Sequence, residues 1–417
     1  MSKTLWIIDH YSSEPKYGGY TRQYHYARGI AAHGYHVVVI ASSFSHFTHQ
    51  YITEDEYSYS EISDNVHFVY LKTTRYLTNA SAKRFLGMLS FAGQVSKYKK
   101  RIEKQFGRPD WVVASSPHPF TWIAGNQIAK KYGSGYNIEI RDFWPLELKK
   151  NKDSLIYKIL YAVFDLIETW AFKRAEHIIC TLPYGSNYCI DTGKSGKEKF
   201  TYIGHPLDCA FYDKCAEKKE YLLPGEIKDF IKDSFYCVFS GYYMKYEGVN
   251  QMLYAACELE KEGLPIKFVF VGSGEEKENM QKFVKENGIK NVYIGGRIQK
   301  EAIPALLKQS NVCLAYLHEL EYPEMFKYGM SKNKINEYLY SGAVTIMGFA
   351  DSRNEITDSN GGYTFEPENN RFAELIKKVY RMKEDERRQF GENARRYMNK
   401  THDIKKKKKK YIDEIFV

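Results

Sequence analysis

Short apolar runs recur along the chain, each followed by a polar or glycine-bearing break and then by a stretch of helical periodicity. Residues 5–8, 37–40, 66–71, 111–114, 136–140, 178–181 and 199–203 read as buried strands, with helices expected at 21–33 and 154–174. The opening unit is strand, Gly18-Gly19 loop, helix, Gly34 and strand, which is how a parallel doubly wound sheet begins. After residues 204–208 the alternation breaks into a polar stretch, 213–232, and restarts with strands at 235–240, 267–271, 292–294 and 312–315. Helices are expected between these at 247–263 and 275–288. The pattern predicts an α/β chain of two Rossmann-like doubly wound parallel-sheet domains, over 1–205 and 206–400, facing each other across a cleft. In the segment 401–417, Ile404, Tyr411, Ile412, Ile415 and Phe416 fall at helical spacing and are expected to pack back on the first domain. The lysine run 405–410 reads as a solvated turn and a half of that helix, with lipid-headgroup contact as the alternative.

The stretch 330–347 carries the densest polar chemistry. Ile335, Tyr338, Leu339 and Gly342 recur at i, i+3, i+4 and i+7, so they form a packed stripe that ends where a helix C-terminus favours left-handed backbone. Glu337 then points away from the core, with Asn333 and Lys334 beside it and Ser331 placed to cap the helix. A helix start with a cation attracts an anion, and a carboxylate one turn further in suits ribose hydroxyls. Exposed charges on an ordinary amphipathic helix are the bland reading of the same residues.

Composition narrows the classes. The 417 residues suit two domains, and no apolar run is long enough to span a bilayer or to serve as a secretory signal. Seven cysteines show neither metal-ligand spacing nor a disulfide framework, so a cytoplasmic location is expected. A net charge of +10 calls for an anionic partner: nucleic acid, phospholipid or a phosphorylated small molecule. The positive charge is spread along the chain rather than gathered into a nucleic-acid module, which disfavours the first.

Several further residues bear chemistry. Gly18 and Gly19 form either a simple turn or a loop that lets backbone approach phosphate. Arg22, in the first turn of the following helix, opposes the helix dipole unless it meets an anion. His118 is held between two prolines, and Arg141 and Asp142 follow a buried strand at its carboxyl end, either as an internal ion pair or as ligand contacts. The acidic clusters 54–56 and 384–386 read as solvated charge, so no divalent ion is expected. Between residues 73 and 104, basic and apolar side chains interleave at helical spacing, which suits either a membrane-surface helix or a core-packed helix with a basic outer face.

Taken together, Gly18-Gly19 before the first helix, Gly272-Ser273-Gly274 after a later strand, and the run Asn333-Lys-Ile-Asn-Glu-Tyr-Leu-Tyr-Ser-Gly342 make the whole chain resemble the GT-B fold glycosyltransferases of family 4. The segment 139–145, Glu-Ile-Arg-Asp-Phe-Trp-Pro, looks like the branch that builds bacterial capsule, O-antigen and exopolysaccharide. The resemblance implies a retaining, metal-independent enzyme without cofactor, which moves a sugar from a nucleotide diphosphate sugar, a UDP sugar foremost, to a glycan or polyprenyl-diphosphate-linked acceptor. It implies work in the cytoplasm, with peripheral contact at the inner face of an anionic membrane.

By position, the resemblance places Glu337 on the donor ribose and Ser331, Asn333 and Lys334 on the diphosphate. Gly18, Gly19 and Arg22 would approach the diphosphate from the first domain, His118 would contact the donor sugar, and Arg141 and Asp142 would contact donor or acceptor. The chain departs from the family pattern where a second glutamate is usual, at Gly329, and where a basic pair is usual, at Tyr242 and Glu247. Lys245, Arg297 and Lys334 are the substitute cations, and Glu321 or Glu324 the substitute carboxylate. A GT-B sugar-nucleotide epimerase and a non-catalytic sugar-nucleotide-binding partner of a polysaccharide complex are the competing readings.

Overall fold

The computed structural model describes residues 3–77, 81–143, 145–146, 155–217, 223–317, 327–329, 331–349 and 354–416. Trp144, Glu321, Glu324 and Met330, and the expected helix start at residue 154, lie outside the described residues. The chain forms two compact units, Met1–Gly204 together with Lys405–Val417, and His205–Ile404.

In the first unit the strands are β1 (Thr4–Ile8), β2 (His36–Ser42), β3 (Tyr57–Ser63), β4 (Val66–Leu71), β5 (Trp111–Ser115), β6 (Gly135–Ile140), β7 (Ile178–Cys180) and β8 (Phe200–Tyr202). They lie in the order β3-β4-β2-β1-β5-β6-β7-β8. All pairs are parallel except β3 with β4. Every residue of β1 is buried, which is why the run reads as continuous hydrophobicity. β3 is the strand the apolar runs did not reveal, because its exposed positions, Tyr59, Glu61 and Ser63, alternate with the half-buried Ser58, Ser60 and Ile62, and serine holds two of those inner places. The order reverses between β1 and β5, and a doubly wound sheet opens its ligand crevice at the carboxyl ends of such a pair.

The second unit holds β9 (Phe235–Tyr242), β10 (Ile266–Ser273), β11 (Val292–Ile294), β12 (Val312–Tyr316), β13 (Val344–Gly348) and β14 (Gly362–Phe365), in the order β11-β10-β9-β12-β13-β14. All pairs are parallel, and apolar clusters cover both faces of the sheet. Its switch point lies between β9 and β12. The segment expected to be merely polar, 213–232, holds most of the helix Cys209–Glu217 and all of the helix Gly225–Ile231, whose apolar faces bury Tyr212, Cys215, Ile227 and Ile231.

The helix Ile404–Ile415 corrects in part the reading of the lysine run as solvated, for Lys405, Lys406 and Lys409 are exposed but Lys407 and Lys408 are not. Lys407 is buried with its ammonium 4.6 Å from the centre of the Tyr202 ring, and Lys408 lies across Gly29, where any Cβ would overlap it. Aliphatic lysine stems thus serve as packing surface on the first unit. Tyr411 packs at a tilt against Tyr26, with ring centres 4.9 Å apart.

Candidate functional site

In the first unit the loop that leaves β1 begins with Asp9, His10 and Tyr11, all buried. Burial pushes the Asp9 carboxyl up to about 6, with the nearby Arg141 cation opposing the shift. His10 Nδ1 lies 2.7 Å from Nε2 of His118, which the Ser115-Ser116-Pro117 turn delivers from the end of β5. Thr121 fixes that turn by donating to the carbonyls of Ser115 and His118. Burial, helped by Arg84, holds the His118 imidazole down to about 3, and burial with His118 as neighbour holds His10 well below its ordinary value. Both rings are neutral at pH 7, so one donates to the other, and His118 Nδ1 has no partner among the described residues. That leaves His118 one ring nitrogen for hydrogen bonding and no charge to shuttle.

Asp9 Oδ2, Ser12 Oγ, Gln23 Oε1 and Ser43 Oγ are likewise buried without a hydrogen-bond partner among the described residues, Asp9 Oδ2 having only the Arg141 cation at 3.9 Å. They gather with His118 at the carboxyl ends of β1, β2 and β5, and such a concentration of unsatisfied atoms marks where water or ligand is expected. His10 was missed in the sequence reading. Its signal was the same one that singled out Arg141, a polar residue just beyond a buried strand.

Gly18 and Gly19 are exposed, with φ of +71° and +84°, in the loop before the helix Arg22–Ala31. A Cβ on Gly19 would stand 2.7 Å from the Phe47 ring, so this backbone needs glycine. Arg22 requires a correction. Its Nε donates to Glu139 Oε1 at 2.6 Å, and Nη1 and Nη2 donate to the carbonyls of Gly204 and Ile203. Its guanidinium is therefore spent inside the unit rather than offered to an anion. Glu139 also accepts from Gln23 and from Ser115, and although burial raises its carboxyl, Arg22 and Arg141 together hold it below the usual range.

Arg141 is buried, with one terminal nitrogen 3.9 Å from Asp9 Oδ2 and its guanidinium 4.0 Å above the Tyr20 ring. Asp142 is half-buried, and burial raises its carboxyl against the pull of Arg141. The structure thus brings Gly18, Gly19, His118, Arg141 and Asp142 to the switch-point end of the sheet and withdraws Arg22 from it.

In the second unit the helix Asn333–Ser341 starts against the end of β9. Tyr338 Oη locks the two together, accepting from Ser240 N at 2.8 Å and donating to Ser240 O at 3.1 Å. Ile335, Tyr338 and Leu339 are buried, and Gly342 closes the helix at φ +93°. Ser331 is not the cap. The N-cap is Lys332, which makes no side-chain capping bond, so no side chain closes the helix start there.

Lys334 leans back over Phe239, 4.4 Å from the ring centre. A Cβ on Gly241 would stand 2.8 Å from its Nζ, so the strand end makes room for the ammonium. Glu247, from the turn after β9, accepts from Lys334 Nζ at 2.5 Å and from Lys332 Nζ at 2.9 Å. Burial holds the Lys334 ammonium down to about 8, with Glu247 opposing and Lys332 adding to the shift. The Glu247 carboxyl is raised by burial, but the two lysines outweigh that and keep it ionised. The Glu247 carboxylate thus gathers two lysines around one spot.

Asn333 is exposed at the first helical position, and Lys245 is exposed two residues before Glu247. Arg297, also exposed, donates through Nε to Ser273 Oγ at 2.8 Å at the end of β10. Burial raises the half-buried Glu337 carboxyl, with Lys300 partly offsetting it. Gly272 and Gly241 face each other in register, and a Cβ on Gly272, at φ +153°, would overlap the Gly241 carbonyl. Gly329, at φ +92°, has backbone that favours glycine, which accounts locally for the absence of a glutamate there. No group of three or more His, Cys, Asp or Glu side chains among the described residues could hold a metal ion.

Residues 226–397 match the family described as Glycosyl transferases group 1. A curated relative, an uncharacterized glycosyltransferase of Methanocaldococcus jannaschii, is 22% identical over 258 residues, covering 61% of this chain and 62% of that protein. Among solved structures, sucrose-phosphate synthase from Thermosynechococcus elongatus superposes with a TM-score of 0.70 at 14% identity, covering 99% of both chains. A trehalose-6-phosphate protein of E. coli bound with UDP-2-fluoro glucose gives 0.71 at 10%, and WaaG, a glycosyltransferase involved in lipopolysaccharide biosynthesis, gives 0.65 at 16%, each covering 99% of both chains. Residues 226–397, within the second unit, are therefore similar to the Glycosyl transferases group 1 family, and the chain shares its fold with these GT-B structures.

Proposed function

We propose that the chain is a retaining, metal-independent glycosyltransferase that moves a sugar from a nucleotide diphosphate sugar, a UDP sugar foremost, to a glycan or lipid-linked acceptor of surface polysaccharide. The observation that carries this reading is the set of cations around the start of the helix Asn333–Ser341, where Lys332 and Lys334 meet at Glu247 beside the end of β9. A diphosphate leaving group needs donors already aimed at its developing charge, and a helix start with two lysines supplies them. Glu337, one turn further along, is the acceptor for ribose hydroxyls, its raised carboxyl becoming fully useful when hydroxyls donate to it. The UDP-2-fluoro glucose carried by one structural neighbour supports the choice of nucleotide.

On the first unit, His118 hydrogen-bonds the donor sugar through its unpartnered Nδ1, and Arg141 and Asp142 contact donor or acceptor. Release of UDP from a panel of UDP sugars, followed with and without a polyprenyl-diphosphate-linked acceptor, tests the reading. Acceptor-dependent release supports transfer. Release without acceptor marks an epimerase. Glu247, which already neutralises the two lysines, favours one other reading, that of a non-catalytic sugar-nucleotide-binding partner, and tight binding without release would select it.

A further inference from the structure

The helix Leu155–Arg174 is apolar on two opposite sides. Phe164, Glu168, Ala171 and Phe172 bury one face in the first unit. On the other face Ile156, Ile159, Val163 and Leu166 recur at i, i+3, i+7 and i+10, and each is between 43% and 69% exposed. The helix Ala82–Phe106, which meets this one through Phe85 and Phe164, carries Leu86 and Leu89, 53% and 41% exposed, next to Phe85. The two helices are joined by aromatic rings, with Phe85 6.3 Å from Phe164 and Phe120 within 5.9 Å of both. Isolated exposed apolar side chains are ordinary, but six on two adjoining helices form a patch that needs a partner.

Charge selects that partner. Among the described residues, every exposed charged side chain on these two helices is basic: Lys83, Lys97, Lys100, Arg101 and Lys104 on one, Lys158, Lys173 and Arg174 on the other. Glu168 is buried, and Asp165 and Glu103 are taken up by Lys194 and Tyr132. Apolar side chains on helices whose own exposed charges are all basic, with Glu56 beside Lys97 the exposed carboxylate that meets them, match the boundary between the headgroups and the acyl chains of an anionic bilayer. A second copy of a chain with net charge +10 would bring like charges together at the same patch. No helix among the described residues is long and apolar enough to cross a membrane, so the geometry suits lying on the surface.

We propose that the face formed by Ile156, Ile159, Val163 and Leu166 with Leu86 and Leu89 docks the protein on an anionic lipid surface. The expected helix of residues 73–104 supplies the smaller share of this face. The larger share comes from the helix Leu155–Arg174, which the sequence marks only as a helix.

Flotation of the whole chain with phosphatidylcholine vesicles, with and without phosphatidylglycerol, tests this. The test needs no nucleotide sugar, so its outcome is separate from that of the transfer reaction. Partitioning is expected to be at least about tenfold stronger with phosphatidylglycerol and to weaken with salt. Ile159→Glu with Val163→Glu should abolish it, and Lys83→Glu with Lys158→Glu should reduce it about tenfold or more, both with unchanged melting temperatures because the sites are exposed. Equal binding to both vesicle types, absence of binding, or unimpaired flotation of Ile159→Glu with Val163→Glu overturns the proposal. So does concentration-dependent self-association that this double variant abolishes while the wild-type chain ignores vesicles, since the occupant is then a second copy.

Discussion

Glu247 accepts hydrogen bonds from Lys334, 87 residues away in sequence, and from Lys332 beside it, so one carboxylate holds two ammonium groups at the start of a single helix. Glu247→Ala would strand both cations in a largely buried place, at a cost of about 3 kcal/mol in stability. Inorganic pyrophosphate should then raise the melting temperature of the variant more than that of the wild type, because an anion replaces the lost carboxylate. A variant that melts like the wild type would show that the three groups do not depend on one another.

Lys334 also sets a pH dependence. Its folded-state pKa, about 8, lies below the ordinary 10.5. Between those values the unfolded chain keeps a proton that the folded chain has released, so this group adds stability as pH rises through the window. Anion binding follows the opposite sign, since a diphosphate needs the ammonium. UDP affinity is expected to fall by up to about tenfold per pH unit above 8, with proton uptake on binding. Calorimetry in buffers of different protonation heat measures that uptake, and its absence would remove Lys334 from the anion site.

His118 and Asp9 make opposing contributions in acid. His118 is held down to about 3, so from pH 6.5 downward the unfolded chain gains a proton there that the folded chain refuses, and stability falls. Asp9, raised to about 6 from 3.8, is protonated first in the folded state, and its contribution grows as pH falls through that window. His118→Asn should remove the first effect and keep the second. Urea unfolding of the variant between pH 6.5 and 4 should show an acid slope shallower by about 1.4 kcal/mol per pH unit.

Arg22 and Glu139 form a buried pair at 2.6 Å, with side chains 3% and 0% exposed. Arg22→Ala leaves a buried carboxylate, and a loss of about 3–5 kcal/mol is expected. Arg22→Met combined with Glu139→Gln should cost much less than the sum of the two single changes, as a double-mutant cycle of denaturation midpoints would show. Additive losses would mean that the pair does not act as a unit.

These cases also show what was legible in the chain. The parallel doubly wound character and the packed stripe of Ile335, Tyr338 and Leu339 rest on local periodicity, which a single sequence displays. Ser331 as cap failed because the helix begins one residue later than the capping pattern implies, with Lys332 at the boundary. Arg22 looked free because its partner Glu139 lies 117 residues away, and the role of Glu247 was hidden in the same manner. In the lysine run at 405–410, Lys407 and Lys408 escaped the solvated reading because composition signals solvent, whereas Gly29 had vacated the space that Lys408 fills.

The helix Ile404–Ile415 bears on how the protein is made. Tyr26 lies in the helix Arg22–Ala31, yet the Tyr411 ring that covers it is synthesised 385 residues later. The first unit must therefore wait through translation of the whole second unit with one apolar face uncovered. During that interval the nascent chain is most exposed to misassembly, and any shortening of the carboxyl-terminal segment would prolong it indefinitely.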